Sequence, residues 1–255
     1  MTSVNLRDES SDANPAFLHP LRPHMTGRPF GLDEQGQAIA DVRGENIRLL
    51  VAYLQKRVAD RTVRRSPGSP EDARLKEEVR LARAQAAADL ARRLNEAQPD
   101  PAYHVSGESL QAPSLGYSFE FFVYAITFAQ EIIDDSGFAY RWVSEMGVPA
   151  GWLLQAGLPI ASIYAALPIF GRFLSKASQI ETEPLAPNQV IVRLRPGPEY
   201  AALDPVIAGR LALIVRDILA GLLTQIPRLQ SGMPLAQVVE HKDLTRGDPY
   251  MEWLV

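Results

Sequence analysis

The hydrophobic pattern changes period along this chain, and that change restricts the folds open to it. Through the first two thirds, apolar residues recur every three to four positions, the spacing of helices with one buried face. In the last third the run Gln189-Val190-Ile191-Val192-Arg193-Leu194-Arg195 is β-branched, alternates with a period of two, and is bounded by Pro187 and Pro196. Helices first and strands last predict an α+β fold, mostly helical, with a small antiparallel sheet formed in the C-terminal third.

Prolines and glycines divide the pattern into elements. Residues 1–40 hold Pro15, Pro20, Pro23 and Pro29 and read as an irregular arm. A first helix is expected over 41–62, with Ile47, Leu50, Val51, Tyr53, Leu54 and Val58 on its apolar side. After the break at 66–70, Ser69 is the expected N-cap of a second helix reaching about residue 95, with Pro70 in its first position. Its narrow stripe of Leu75, Val79, Ala82, Ala86, Leu90 and Leu94 suits one partner helix, either within the chain or across a dimer seam. Residues 41–97 thus form a helical hairpin, a possible dimerisation or relay region, and 98–255 an α+β ligand-sensing region. In the latter, helices are expected over 114–134 and 138–145, and Pro-interrupted helical pieces over 150–175. A helix over 205–225 is opened by Asp204-Pro205, and strands over 235–244 and 250–255 make a hairpin.

Composition removes several functions. With 46% hydrophobic and 22% charged residues the chain has the make-up of a globular protein. No cysteine means no disulfide, thiolate nucleophile, iron–sulfur cluster or cysteine-ligated zinc. The four histidines, His19, His24, His104 and His241, have no helical i,i+4 partner, so no metal is expected. A net charge of −4 argues against a nucleic-acid partner, although Arg57, Arg61, Arg64, Arg65, Arg80, Arg83, Arg92 and Arg93 make the helical hairpin locally basic. The N-terminus lacks the basic-then-apolar order of a signal peptide, and a cytoplasmic location is expected. Residues 146–171 carry no charge and are long enough for a bilayer, but Pro149, Pro159 and Pro168 divide them, which favours a buried core or pocket wall.

Catalytic motifs are not found. Asp134 and Asp135, with Glu131 one turn earlier, are the residues a Mg²⁺-dependent enzyme would use, but no second acidic helix accompanies them. No Gly-x-Ser-x-Gly and no Gly-rich phosphate loop is present. Arg193 and Arg195 fall on one strand face, which is expected to be solvated. Bulky rings recur on successive helices separated by Gly and Pro kinks, a composition that can wall an apolar cavity. Tyr117, Phe121, Phe122, Tyr124, Phe128, Trp142, Trp152 and Tyr164 are therefore the candidate ligand-binding residues.

The closing stretch VVEHKDLTRGDPYMEW, residues 238–253, resembles the final hairpin of the vinyl-reductase-like domains, relatives of the heme–nitric-oxide-binding sensors of bacteria. That family has a His, a Cys three residues on, then Gly-Asp, a second Cys and an aromatic. His241, Gly247, Asp248 and Trp253 match this pattern, while Leu244 and Met251 stand where the cysteines would be and are expected to pack. No Tyr-x-Ser-x-Arg heme motif is present, so heme is not supported and no cofactor is predicted. The resemblance implies a signal-sensing regulatory domain that binds a small, apolar ligand and controls an output module of a bacterial signalling protein. A homodimer and a downstream output partner are implied with it. The sequence stops just after a strand, as an excised N-terminal domain would. The rival readings are the Mg²⁺ enzyme and a dimerisation scaffold with no ligand.

Overall fold

The computed structural model describes residues 42–66, 72–98, 101–146, 164, 167–168, 178–186, 188–226 and 235–255. A two-residue strand β1 (Val42–Arg43) leads into α1 (Gly44–Arg65) and α2 (Ala73–Ala97). Two short 3₁₀ turns, Pro101–Tyr103 and Ser109–Gln111, precede β2 (Gly116–Tyr117), α3 (Phe119–Ile132) and α4 (Phe138–Met146). Next come β3 (Ser178–Ala186), β4 (Gln189–Pro196), α5 (Pro198–Ala201), α6 (Pro205–Gln225), β5 (Val239–Lys242) and β6 (Met251–Leu254). The chain is α+β, with its four-stranded antiparallel sheet in the C-terminal part.

Local chemistry explains where the helices begin and end, and corrects three expected boundaries. α1 starts at Gly44 because Val42 and Arg43 are drawn into an antiparallel pair with Tyr117 and Gly116. α2 is capped by Asp72, whose carboxylate accepts from the Arg74 amide at 2.9 Å. A side-chain oxygen at that place satisfies an amide the helix leaves bare. Ser69 and Pro70, the expected start, lie outside the described residues. α3 begins five residues later than expected, at the Ser118 cap that accepts from the Phe121 amide at 3.2 Å. Residues 114–118 are used for a turn and the short β2 pairing instead. α6 has the predicted bounds, with Asp204 accepting from Val206 at 2.8 Å and Pro205 in the first turn.

The sheet runs β3-β4-β6-β5, every pair antiparallel. Along β4, Val190, Val192 and Leu194 are buried in alternation, and Met251 and Trp253 of β6 sit opposite Leu194 and Val192 on the same face. β3 is absent from the sequence reading because SQIETEPLA carries Pro184 and two glutamates, a poor strand on composition. It is an edge strand, where a proline sacrifices no ladder bond that the sheet needs, and its pairing slips between Pro184 and Ala186.

One hydrophobic core joins α1, α2, α3, α4, α6 and the inner face of the sheet. The C-terminal part of the α2 stripe is spent inside the chain: Ala86, Leu90 and Leu94 are core residues, and α2 packs against α1 and α3. α4 and α6 approach so closely that a Cβ on Gly221 would stand 2.6 Å from the Tyr140 carbonyl oxygen. No helix among the described residues is long and apolar enough to cross a membrane. Most of 146–171, and the helical pieces expected there, lie outside the described residues, apart from helical positions at 164, 167 and 168.

Candidate ligand site

The aromatic residues named from the sequence are brought together, but as mutual packing. Tyr117 stacks on Phe121 with ring centroids 4.4 Å apart, Tyr124 meets Phe128 at 5.6 Å, and Phe122 meets Trp142 at 6.4 Å. All six, with Tyr164, are buried members of the core. Burial pushes the Tyr117 phenol up to about 12 and raises Tyr164 further, so both remain neutral hydrogen-bonding groups. Their hydroxyls donate to the carbonyls of Ser109 (3.2 Å) and Leu223 (3.3 Å). Trp152 lies outside the described residues.

An open trough lies instead between α1, α2 and the segment that follows them. Asn95 near the end of α2 holds that segment in place by pairing twice with Val105, donating to its carbonyl at 2.9 Å and accepting from its amide at 2.8 Å. Ser106 and Ser109 close the next turn on one another, and Leu110 is fully buried beneath it. Gly107 is thereby laid over Ala87, where a Cβ on the glycine would be 3.7 Å from the alanine methyl. The resulting hollow has a volume of about 690 Å³ and is walled by Val63, Leu75, Val79, Ala84, Ala87 and Ala88. Lys76, Arg80, Arg83 and Glu108 line its polar edge. Arg80 is held by Glu77 at 2.6 Å, whereas Lys76 and Arg83 have no ion pair among the described residues. Chemically, this is an apolar bed with cationic groups at the rim. None of the aromatic ligand-binding candidates lines it, while Leu75, Val79, Arg80 and Arg83, marked by the sequence for helix packing and basic charge, do. The legible signal was the density of alanine between Ala82 and Ala91, where a helix needing only a core stripe would carry larger residues.

The closing hairpin is a charge-stitched turn. Asp243, 2% exposed, accepts from the Thr245 amide at 2.8 Å and faces the Arg216 guanidinium of α6 at 3.3 Å. Burial alone would raise its carboxyl, but the Thr245 and Arg216 hydrogen bonds outweigh that and hold it below its ordinary value. Gly247 has φ +88°, a left-handed conformation that suits glycine, and the Asp248 carboxylate accepts from the Asp243 amide at 2.8 Å. Trp253 and Met251 are core residues and Leu244 packs against the core, so both apolar positions pack as expected. His241 is half-exposed, with Nδ1 3.7 Å from Glu252. Arg193 and Arg195 do share a sheet face, where Glu252 (2.6 Å) and Glu183 (2.7 Å) hold the first and Glu181 (2.9 Å) the second.

The carboxylates of the Mg²⁺ reading do not converge. Asp134 has φ 47° and ends α3: its amide donates to Glu131 and that of Asp135 to Gln130, the two reversed bonds of a Schellman stop. The Asp135 carboxylate accepts from Arg141 and from the Gly137 amide and lies 3.5 Å from Arg57, while Glu131 pairs with Arg93 at 2.8 Å. Among the described residues no group of three or more His, Asp or Glu side chains could hold a metal ion. No protein-family model, curated protein or solved structure matches this chain.

Proposed function

We propose that this chain is a signal-sensing regulatory domain whose small, largely apolar ligand occupies the trough between α1, α2 and the 104–111 turn. The observation that carries the reading is the trough itself: about 690 Å³ of open space over an apolar bed, with Lys76 and Arg83 at the edge. Such a site favours a ligand with a hydrocarbon body and one anionic end. The expectation that aromatic rings form the wall is replaced by aliphatic residues and alanines of the helical hairpin.

Signalling follows from packing. α2 touches both α1 and α3, and α3 contacts α4 and α6. A ligand seated between α1 and α2 binds best to one spacing of those helices and shifts the population toward it. The closing hairpin, tied to α6 through Arg216 and Asp243, is the far end of that chain of contacts. The vinyl-reductase-like resemblance, a cytoplasmic setting, a homodimer and a downstream output partner belong to the same proposal. A dimer would not use Ala86, Leu90 and Leu94 of the α2 stripe, which are already buried in the core.

Native mass spectrometry of the purified chain, followed by titration with decanoate, tests the reading. A bound small apolar molecule, or saturable decanoate binding that Ala84→Trp weakens at least tenfold, is expected. A bare protein that ignores decanoate, or binding that Ala84→Trp leaves unchanged, would turn the assignment toward a scaffold.

A further inference from the structure

Four arginines of α1 lie at 57, 61, 64 and 65, the i, i+4, i+7 and i+8 positions that share one helical face. They line a second hollow, of about 270 Å³, together with Asp60 and Ile133. Two are committed. Arg57 faces Asp135 and Glu145, each at 3.5 Å, and Arg61 donates to the Ile133 carbonyl at the end of α3. Arg64 and Arg65 are exposed and have no ion pair among the described residues. The negative end of the α1 dipole favours two cations in the last turn, but its influence fades within that turn and does not account for Arg57 and Arg61 lining the same hollow. Like charges one turn apart repel, and with Arg57 answered by Asp135 and Glu145 and a single carboxylate, Asp60, in the lining, the positive charge left facing no carboxylate among the described residues includes that of Arg64 and Arg65.

We propose that this hollow binds the phosphate or diphosphate group of a soluble small molecule. A phosphoryl group offers several acceptor oxygens with delocalised charge, which suits convergent guanidinium forks. A single carboxylate is too small a counter-charge to engage Arg64 and Arg65 along with the inner pair. The ligand's phosphate would lie between the exposed Arg64 and Arg65 and the anchored Arg61, with Ile133 beneath. The site uses none of the trough residues and does not depend on the sensor reading.

Isothermal titration of the full chain with inorganic pyrophosphate tests this, with Arg64→Gln/Arg65→Gln as the site variant and Arg48→Gln, about 24 Å back along α1 from Arg64, as the charge control. The expected result is one saturable site, weakened by added salt, lost at least tenfold in the double variant and retained in both Arg48→Gln and Ala84→Trp. Failure of the trough reading would leave this result intact, so the two stand or fall separately. The proposal is overturned by absence of saturable pyrophosphate binding, or by equal affinity in the double variant. Co-sedimentation with phosphatidic-acid vesicles in place of pyrophosphate binding would also overturn it, since the headgroup of a membrane would then be the source. Tight binding of duplex DNA without a discrete pyrophosphate site would do the same.

Discussion

The sheet and the α1–α2 hairpin both carry many arginines, and the hairpin, which pairs most of its own, leaves a few facing no carboxylate among the described residues. On the sheet and its closing turn, Arg193, Arg195, Arg216 and Arg246 each meet a carboxylate within 3.3 Å. Those ion pairs stitch together strands whose edges are short, and one of them reaches a buried aspartate. On the hairpin, Arg64, Arg65, Lys76 and Arg83 meet no carboxylate among the described residues, and all four line hollows. Ion pairs tie both regions together, Arg57 to Asp135 and Glu145 and Arg93 to Glu131 among the helices, but only the hairpin also leaves cationic groups without a carboxylate among the described residues. Basic composition alone would not separate the two, because the partners lie far away in sequence.

The largest effects should come from the apolar core that the two regions share. Phe121 is fully buried at the start of α3 and stacks on Tyr117. Phe121→Ala is expected to cost about 4 kcal/mol, read as a fall in the urea midpoint with the slope unchanged. A cost below about 1 kcal/mol would mean that the helical core is loosely packed and that the hollow extends into it.

Next in size is the buried charge of the turn. Asp243→Ala leaves Arg216 without its inner partner and the Thr245 amide without an acceptor, and should cost on the order of 3 kcal/mol at neutral pH. The sign of the pH dependence follows from the lowered carboxyl. The unfolded chain binds this proton more readily, so the stabilisation is complete above the ordinary value of 3.8 and disappears as pH falls through the lower folded value. Melting curves of the two proteins should therefore converge in acid. A gap that stayed constant below pH 3.8 would show that the side chain acts by packing alone.

Much of this architecture was legible because it rests on local rules. Asp204-Pro205 marks its helix, the period of two marks β4, and Gly247-Asp248 marks the turn. What escaped depends on neighbours remote in sequence. β3 is a strand only because β4 offers it an edge, and α1 begins late only because residues 42–43 find 116–117. The aromatic set was visible, but whether rings enclose space or fill it is decided by the fit of side chains from different helices. The trough was missed because the alanine run between Ala82 and Ala91, its one signal, reads equally well as plain helix propensity until Gly107 is laid across it.

A smaller effect is expected where helices meet. Gly221→Ala forces a methyl toward the Tyr140 carbonyl, 2.6 Å from the ideal Cβ, and should cost about 2 kcal/mol as α4 and α6 separate. Since these helices connect the hairpin to the closing turn, the same variant should also weaken any coupling between decanoate binding and hydrogen exchange at Asp243–Asp248. Unaltered coupling would place the route elsewhere.

The smallest change in stability is the one that separates the two uses of charge most sharply. Arg193→Gln removes a guanidinium that faces two carboxylates across three strands, and should cost about 1–2 kcal/mol. Arg64→Gln/Arg65→Gln removes two guanidiniums that face none among the described residues. Relief of repulsion with Arg61 and Arg57 then opposes the lost interaction with the helix terminus, and each of these is worth only a few tenths of a kcal/mol. Stability should stay within about 0.5 kcal/mol of the parent protein. Thermal unfolding of both variants side by side is the measurement. Equal losses would mean that the α1 arginines are structural like those of the sheet. A loss confined to Arg193→Gln would show that Arg64 and Arg65, unlike the paired arginines, contribute nothing to folding, as their assignment to a ligand requires.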